Sequence, residues 1–188
     1  MSTDLTSLPP DLPIPQDDGA ADHLAGLALP RLELRATSGR TVDLHGLATG
    51  TLVLFVYPRT GRPGADPLPG WDEIPGARGC TPQACSFRDL HAELAEAGAL
   101  VAGLSAQTHE EQLEASERLE LPYPLLADPE LRLAAALRLP TFEFGGATLY
   151  RRLTLVAERG RIARVFYPVF PPDANAAEVL AWLRARVG

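Results

Sequence analysis

The segment Thr51-Leu-Val-Leu-Phe-Val-Tyr57 constrains the fold of this 188-residue chain more than any other segment. Its side chains are apolar at odd and even positions alike, and several are β-branched or aromatic. A strand of this kind is buried on both faces, so its sheet needs a layer of other elements on each side. The segment therefore predicts a central strand in a three-layer α/β domain, and Pro58 ends that strand.

The rest of the folded region alternates between predicted strands and helices. A small N-terminal hairpin is expected between Leu32 and Leu44, around a turn at Ser38-Gly39. Further strands are predicted at 100–104, 123–126, 148–156 and 161–167, and helices at 81–98, 109–119, 129–139 and 173–186. Because strands alternate with helices and a second hairpin turns at 158–160, we expect a mixed central sheet flanked by helices.

Composition and proline content divide the chain. Hydrophobic residues make up 46% of it and charged residues 22%, which suits one packed domain. Residues 1–24 are rich in proline and aspartate without an apolar period, so we predict a flexible N-terminal extension before a domain at 25–188. The segment 59–79 contains several prolines and glycines and predicts a long loop insertion, a feature that is more often functional than accidental. Within it, Trp71 is expected to anchor the loop or to contact a partner.

The charge and the cysteine count exclude several classes of function. A net charge of -7 argues against nucleic acid as the main partner, because phosphate-binding faces need clustered cations. The longest notable apolar run, 52–57, is far shorter than the roughly 20 residues of a membrane span, and residues 1–18 do not resemble a secretory signal. We therefore expect a cytoplasmic protein, where two cysteines suit a transient bond. The four histidines are scattered, so no metal site is expected.

The segment Gly79-Cys80-Thr81-Pro82-Gln83-Ala84-Cys85 contains both cysteines and is the candidate site for thiol chemistry. Thr81 is a suitable helix N-cap and Pro82 a suitable first helical residue, which places Cys80 where free backbone N–H groups favour a thiolate. A helix terminus supplies at most about 2 kcal/mol. Lowering the pKa of an ordinary thiol from about 8.5 to about 6 requires more than that. A cation must therefore lie nearby, and charge arithmetic does not locate it.

Cys85 lies five positions after Cys80. In an intact helix such residues are roughly 9 Å apart on different faces. That separation exceeds the limit of about 7 Å for a disulfide. A bond between them therefore requires the start of the helix to unwind, which suits a redox cycle better than a structural staple.

These segments resemble the peroxiredoxins, in particular the peroxiredoxin Q (bacterioferritin-comigratory protein) branch. The resemblance covers about residue 25 to the C-terminus. It rests on Tyr57-Pro58, the Gly-Cys-Thr-x-x-x-Cys-x-Phe-Arg-Asp pattern from Gly79, Gly103-Leu-Ser105 and Leu125-Leu-Ala-Asp128. It implies a thioredoxin-like fold and a thiol-dependent peroxidase that serves antioxidant defence. The expected substrates are hydrogen peroxide and alkyl hydroperoxides, with no metal or organic cofactor.

The resemblance also implies a role for each site residue. Cys80 matches the peroxidatic cysteine, which becomes a sulfenic acid. Cys85 matches the resolving cysteine, which closes an intramolecular disulfide that a thioredoxin-like dithiol reduces. The pattern Arg152-Leu-Thr-Leu-Val156 fits the strand that follows the family's essential arginine, which nominates Arg152 over Arg151. Since both cysteines lie in one predicted helix, we expect a monomer.

One departure from the family pattern leaves alternatives open. The usual Pro-x-x-x-Thr-x-x-Cys places a threonine where this chain has Ala77, and Thr60 is the candidate to fold back and supply its hydroxyl. Without it, a thiol-disulfide exchange or redox-sensing module lacking fast peroxide turnover is the alternative function. A copper-delivery protein of thioredoxin fold fits less well, because the cysteine spacer has four residues and no histidine follows His109.

Overall fold

The computed structural model describes residues 8–65 and 68–187. The strands are β1 Glu33–Ala36, β2 Thr41–Asp43, β3 Thr51–Val56, β4 Ala99–Ser105, β5 Leu125–Ala127, β6 Thr141–Phe144, β7 Ala147–Tyr150, β8 Leu153–Glu158 and β9 Arg161–Phe166. The helices are α1 Leu44–Leu47, α2 Cys80–Asp89, α3 His91–Glu96, α4 His109–Arg118, α5 Arg132–Leu137 and α6 Asn175–Val187. In this part of the chain, no helix is both long enough and apolar enough to cross a membrane.

The main sheet is mixed and has β3 near its centre. Its strand order is β2-β1-β5-β4-β3-β8-β9. Strand β3 runs parallel to β4 and antiparallel to β8, while β1 and β2 form the predicted N-terminal hairpin. The predicted mixed-sheet α/β architecture is confirmed.

Side chains of β3 alternate between two hydrophobic cores, as the sequence predicts. Leu52 and Leu54 point into one core, together with residues of α5 and of the segment before β1. Val53 and Phe55 point into the other, which is covered by α2, α3, α4 and α6. Phe55 stacks on Phe87 of α2 with ring centroids 4.6 Å apart. Burial of each such side chain contributes about 1.5–3 kcal/mol, so this contact fixes α2 against the sheet.

Two predicted elements are divided in the structure. The helix predicted at 81–98 is interrupted at Leu90, which separates α2 from α3. The strand predicted at 148–156 is interrupted at Arg151-Arg152, so that β7 pairs with β6 in a separate two-stranded sheet while β8 joins the main sheet. Strand β6 was not predicted, although Gly145 and Gly146, both with positive φ, make the β6–β7 turn.

The N-terminal segment contacts the domain more closely than its composition indicates. The prediction for 1–24 falls partly outside the described residues, which begin at residue 8. Ala21 and Leu24 are buried in the core, and His23 Nε2 donates a 2.8 Å hydrogen bond to the Leu137 carbonyl. The packed part of the domain therefore includes residues that the sequence assigns to a flexible extension, because Ala21 and Leu24 supply apolar surface.

The insertion at 59–79 is anchored by Trp71. This side chain is only 7% exposed and packs with Phe142, Phe144 and Leu149 of the β6–β7 hairpin. Its ring centroid lies 5.1 Å from that of Phe144 in an edge-on arrangement. Of the two roles expected for Trp71, the structure supports the anchoring one.

Candidate active site

Cys80 is the first residue of α2 and is 3% exposed. The residue that caps the helix is Gly79, with φ of 101°, so the predicted cap at Thr81 is wrong by two positions. Glycine is required here because its φ is left-handed and because a Cβ would overlap Pro172 and come within 2.8 Å of Leu8 Cδ2. The backbone N–H groups of Cys80 and Thr81 belong to the first turn, which has no earlier helical carbonyls to pair with. These N–H groups carry partial positive charge at the end of the helix where Cys80 lies.

Arg152 reaches Cys80 from the turn between β7 and β8. Its Nη2 lies 3.2 Å from Cys80 Sγ, and the residue is 3% exposed. The same nitrogen donates 3.1 Å hydrogen bonds to the carbonyls of Ala77 and Arg78, and Nε donates to Gly76 at 3.2 Å. These oxygens are neutral, and among the described residues no carboxylate forms an ion pair with Arg152. A buried guanidinium without a carboxylate favours a negative charge on the sulfur beside it.

Gln83 holds the other side of the guanidinium. It lies one turn after Cys80 and is fully buried, and its Oε1 accepts a hydrogen bond from Arg152 Nη1. Its Nε2 donates a 3.0 Å bond to Oδ1 of Asn175, which also accepts a 2.7 Å bond from Thr154 Oγ1. Sequence reasoning missed this chain of hydrogen bonds. The three-residue spacing of Cys80 and Gln83 was a usable signal, because it places both on one helix face.

Cys85 lies in the same helix as Cys80, and both thiols are free in this structure. It is partly buried, and burial raises the pKa of Cys85, while the nearby Arg88 guanidinium lowers it to a smaller extent. Helix α2 is intact between the two cysteines, so they do not meet in this conformation. The hydroxyl of Tyr123 donates a 2.6 Å hydrogen bond to the Ala84 carbonyl and holds this part of the helix in place.

Thr60 and Cys80 line the same cavity, of about 190 Å³. The Thr60 backbone N–H and hydroxyl both donate to Gln107 Oε1, at 2.8 and 3.1 Å. Ala77 has a different environment: it is buried against Trp71. Despite the long insertion, the threonine that follows Pro58 therefore lines the cysteine cavity. Like Gln83, Gln107 was not identified from the sequence.

Metal ligands do not gather in the described residues. No group of three or more His, Cys, Asp or Glu side chains there is placed to hold a metal ion. The site chemistry available from this chain is therefore that of a sulfur atom, a guanidinium, a hydroxyl and backbone N–H groups.

Comparisons with known proteins found related sequences and structures. The family model described as Redoxin matches residues 24–180. The chain is 31% identical over 161 residues to a chloroplastic peroxiredoxin Q of Oryza sativa subsp. japonica, covering 85% of this chain and 66% of that protein. It is 31% identical over 163 residues to peroxiredoxin Bcp of Bacillus subtilis, covering 85% of this chain and 94% of that protein. The crystal structure of peroxidoxin BcpB from Mycobacterium tuberculosis has a TM-score of 0.69 at 31% identity, covering 87% of this chain and 98% of that chain.

Proposed function

Because this chain belongs to the redoxin family, in its peroxiredoxin Q/Bcp branch, we propose that it is a thiol-dependent peroxidase for hydrogen peroxide and alkyl hydroperoxides. The observation that carries this proposal is the 3.2 Å contact between Arg152 Nη2 and Cys80 Sγ in a buried site. A thiolate is the nucleophilic form of cysteine, and this contact favours it.

In the proposed first step, the Cys80 thiolate attacks the terminal oxygen of a hydroperoxide. The O–O bond breaks, the cysteine becomes a sulfenic acid, and the other oxygen leaves as water or an alcohol after taking up a proton. Negative charge moves from sulfur to oxygen in this step. Arg152 Nη2 already contacts the sulfur, and the N–H groups of the first turn of α2 carry partial positive charge at the same end of the helix, so both stabilise this transition state.

In the proposed second step, Cys85 attacks the Cys80 sulfenic acid, a disulfide forms and water leaves. Helix α2 must first unwind, which breaks the Tyr123–Ala84 hydrogen bond. The raised pKa of Cys85 keeps this thiol protonated, and therefore less nucleophilic, while it remains buried. A thioredoxin-like dithiol then supplies two electrons and restores both thiols. Because both cysteines belong to one helix, the cycle needs no second subunit, and we propose a monomer located in the cytoplasm.

One experiment tests both steps. The fully reduced protein receives one equivalent of hydrogen peroxide, is quenched within seconds, and is analysed by intact mass and peptide mapping. We expect the loss of two hydrogen atoms and a Cys80–Cys85 link. Cys80→Ser should show no oxidation, and Cys85→Ser should gain one oxygen atom as a trapped sulfenic acid.

Two outcomes contradict the proposal in different ways. If Cys85→Ser prevents the first oxidation, the two cysteine roles are reversed. If the wild-type mass does not change and both thiols remain free, the cysteines are not peroxidatic. The protein would then be better described as a thiol-disulfide exchange or redox-sensing module.

A further inference from the structure

The cavity at Cys80 is larger than a peroxide group requires. Its volume of about 190 Å³ has room for several water-sized molecules, whereas hydrogen peroxide contains only two heavy atoms. Its lining includes the first turn of α2, with Cys80, and residues of the 59–79 insertion, among them Thr60, Leu68 and Trp71.

The charged groups around this cavity already have partners. Arg59 and Arg62 lie 3.7 and 3.4 Å from the carboxylate of Glu111. Arg78 forms a 3.2 Å ion pair with Asp72. Two carboxylates therefore pair with three arginines and offset part of their positive charge.

Four of the residues that line the cavity are apolar: Ala65, Leu68, Trp71 and Pro82. We call them the apolar wall. Leu68 is 49% exposed, so about half of this residue is open to contact with a molecule in the cavity. Trp71 is held in position by its packing on Phe144 and the rest of the β6–β7 hairpin. The wall therefore combines an aromatic ring in a fixed position with an exposed leucine.

We infer that Leu68 and Trp71 determine substrate specificity by binding the apolar group of bulky organic hydroperoxides, which are then reduced in preference to hydrogen peroxide. This inference rests on the proposed peroxidase function. It adds that the insertion binds one part of the substrate, namely its organic group. The organic group packs on the apolar wall while the terminal peroxide oxygen meets Cys80 Sγ. The O–O bond then breaks, and the organic group leaves as its alcohol.

Rates of Cys80 oxidation test the inference. The reduced full-length protein is mixed with cumene hydroperoxide or with hydrogen peroxide, and the two second-order rate constants are measured by rapid quenching and mass spectrometry. Leu68→Ala should lower the rate constant for cumene hydroperoxide about fivefold and leave that for hydrogen peroxide within about twofold. Trp71→Phe, which keeps an aromatic ring against the hairpin, should act in the same direction. Leu100→Ala is the matched control, since Leu100 is 57% exposed and lies outside the cavity.

The failure of the inference and the failure of the proposed function give different results. If both peroxides oxidise Cys80 but Leu68→Ala and Trp71→Phe leave the ratio of rate constants unchanged, the specificity role is wrong and the peroxidase proposal stands. If neither peroxide oxidises Cys80, the peroxidase proposal is wrong and the inference is lost with it.

A binding measurement gives a readout independent of turnover. In Trp182→Phe, Trp71 is the only tryptophan left, because the chain has two. The alcohol formed from cumene hydroperoxide, 2-phenyl-2-propanol, should change the fluorescence of Trp71 with saturation. Adding Leu68→Ala should weaken that binding about fivefold. The proposed contact with the organic group is wrong if the fluorescence shows no saturable change. It is also wrong if Trp182→Phe binds the alcohol equally well with and without Leu68→Ala.

Discussion

Gln83 Nε2 donates a 3.0 Å hydrogen bond to Asn175 Oδ1, which joins the helix that carries Cys80 to the first turn of α6. This bond also fixes the orientation of the Gln83 carboxamide. A guanidinium has only donors, so Gln83 must present its oxygen to Arg152 and its nitrogen to Asn175. We therefore predict that Asn175 positions Arg152 beside Cys80 by way of Gln83.

Replacing Asn175 should impair the site without touching the sulfur. In Asn175→Ala, the buried donors of Gln83 and Thr154 lose their acceptor, which should cost about 1–3 kcal/mol of unfolding free energy. Peroxide oxidation of Cys80 should slow by about tenfold because Arg152 is held less firmly.

A destabilised control distinguishes positioning from a merely structural role, because lost stability alone should not slow the oxidation of Cys80 in the folded protein. Ala176→Gly, in the same turn of α6, is the control for destabilisation. Equal slowing of Cys80 oxidation in Asn175→Ala and Ala176→Gly would show that the contact with Gln83 does not act on Cys80.

Arg152→Ala should have a larger effect on the same reaction. It removes the only guanidinium hydrogen-bonded to Cys80 Sγ among the described residues, and with it a charge that stabilises the transition state. Loss of one such donor typically slows catalysis about 10²-fold or more. Arg151→Ala is the matched control: this neighbouring guanidinium lies 5.9 Å over the Phe142 ring. Equal rates of Cys80 oxidation in the two variants, measured with hydrogen peroxide, would remove Arg152 from the proposed mechanism.

The sequence predicted local patterns well and long-range contacts only where a motif marked them. The apolar run at 51–57 identified the central strand, because apolar side chains at adjacent positions indicate burial on both faces of the sheet. Arg152 was found through the motif of the strand after it. Gln107 and Asn175 carry no such pattern, since their roles depend on the sheet bringing distant segments together. The break at Arg151-Arg152 was also missed, because the neighbouring residues are suitable for a continuous strand.

Thr60 should contribute a hydroxyl to the peroxide step. The Thr60 hydroxyl donates its hydrogen to Gln107. The lone pairs of Thr60 Oγ1 can therefore accept a hydrogen bond from a hydroperoxide in the cavity. Thr60→Val should slow the oxidation of Cys80 about tenfold, the effect of one lost hydrogen bond. Thr60→Ser keeps the hydroxyl and should stay within about threefold of wild type. Equal slowing in the two variants would show that the methyl group of Thr60, and not its hydroxyl, matters.

Cys85 should react slowly with alkylating agents while α2 is intact. Burial raises its pKa above the ordinary value, so at neutral pH the thiol stays protonated. In Cys80→Ser, the alkylation rate measured against pH should reach its midpoint above that of the same protein unfolded in urea. Arg88→Ala should move the midpoint higher still, because the guanidinium lowers this pKa, and Arg184→Ala on the exposed surface should not.

The same shift has a consequence for stability. Below the ordinary pKa both folded and unfolded states carry the neutral thiol, and the contribution of Cys85 to folding is fully present. As pH rises, the unfolded thiol ionises first and this contribution declines until the folded thiol ionises too. Unfolding free energies that increase in this pH range relative to Cys85→Ala would contradict a raised pKa.

Gly79→Ala should destabilise the protein more than an alanine at any equally left-handed but open position. Gly98 is such a position: its φ is 80° and a Cβ there meets nothing within 4 Å. Gly98→Ala should therefore cost only the backbone strain, about 1 kcal/mol of unfolding free energy. At Gly79 the strain is joined by overlap with Pro172 and Leu8, so about 2–4 kcal/mol is expected. Urea titrations of the two reduced variants measure the difference. If the two losses are equal, the packing of Pro172 against the start of α2 is not what restricts this position to glycine.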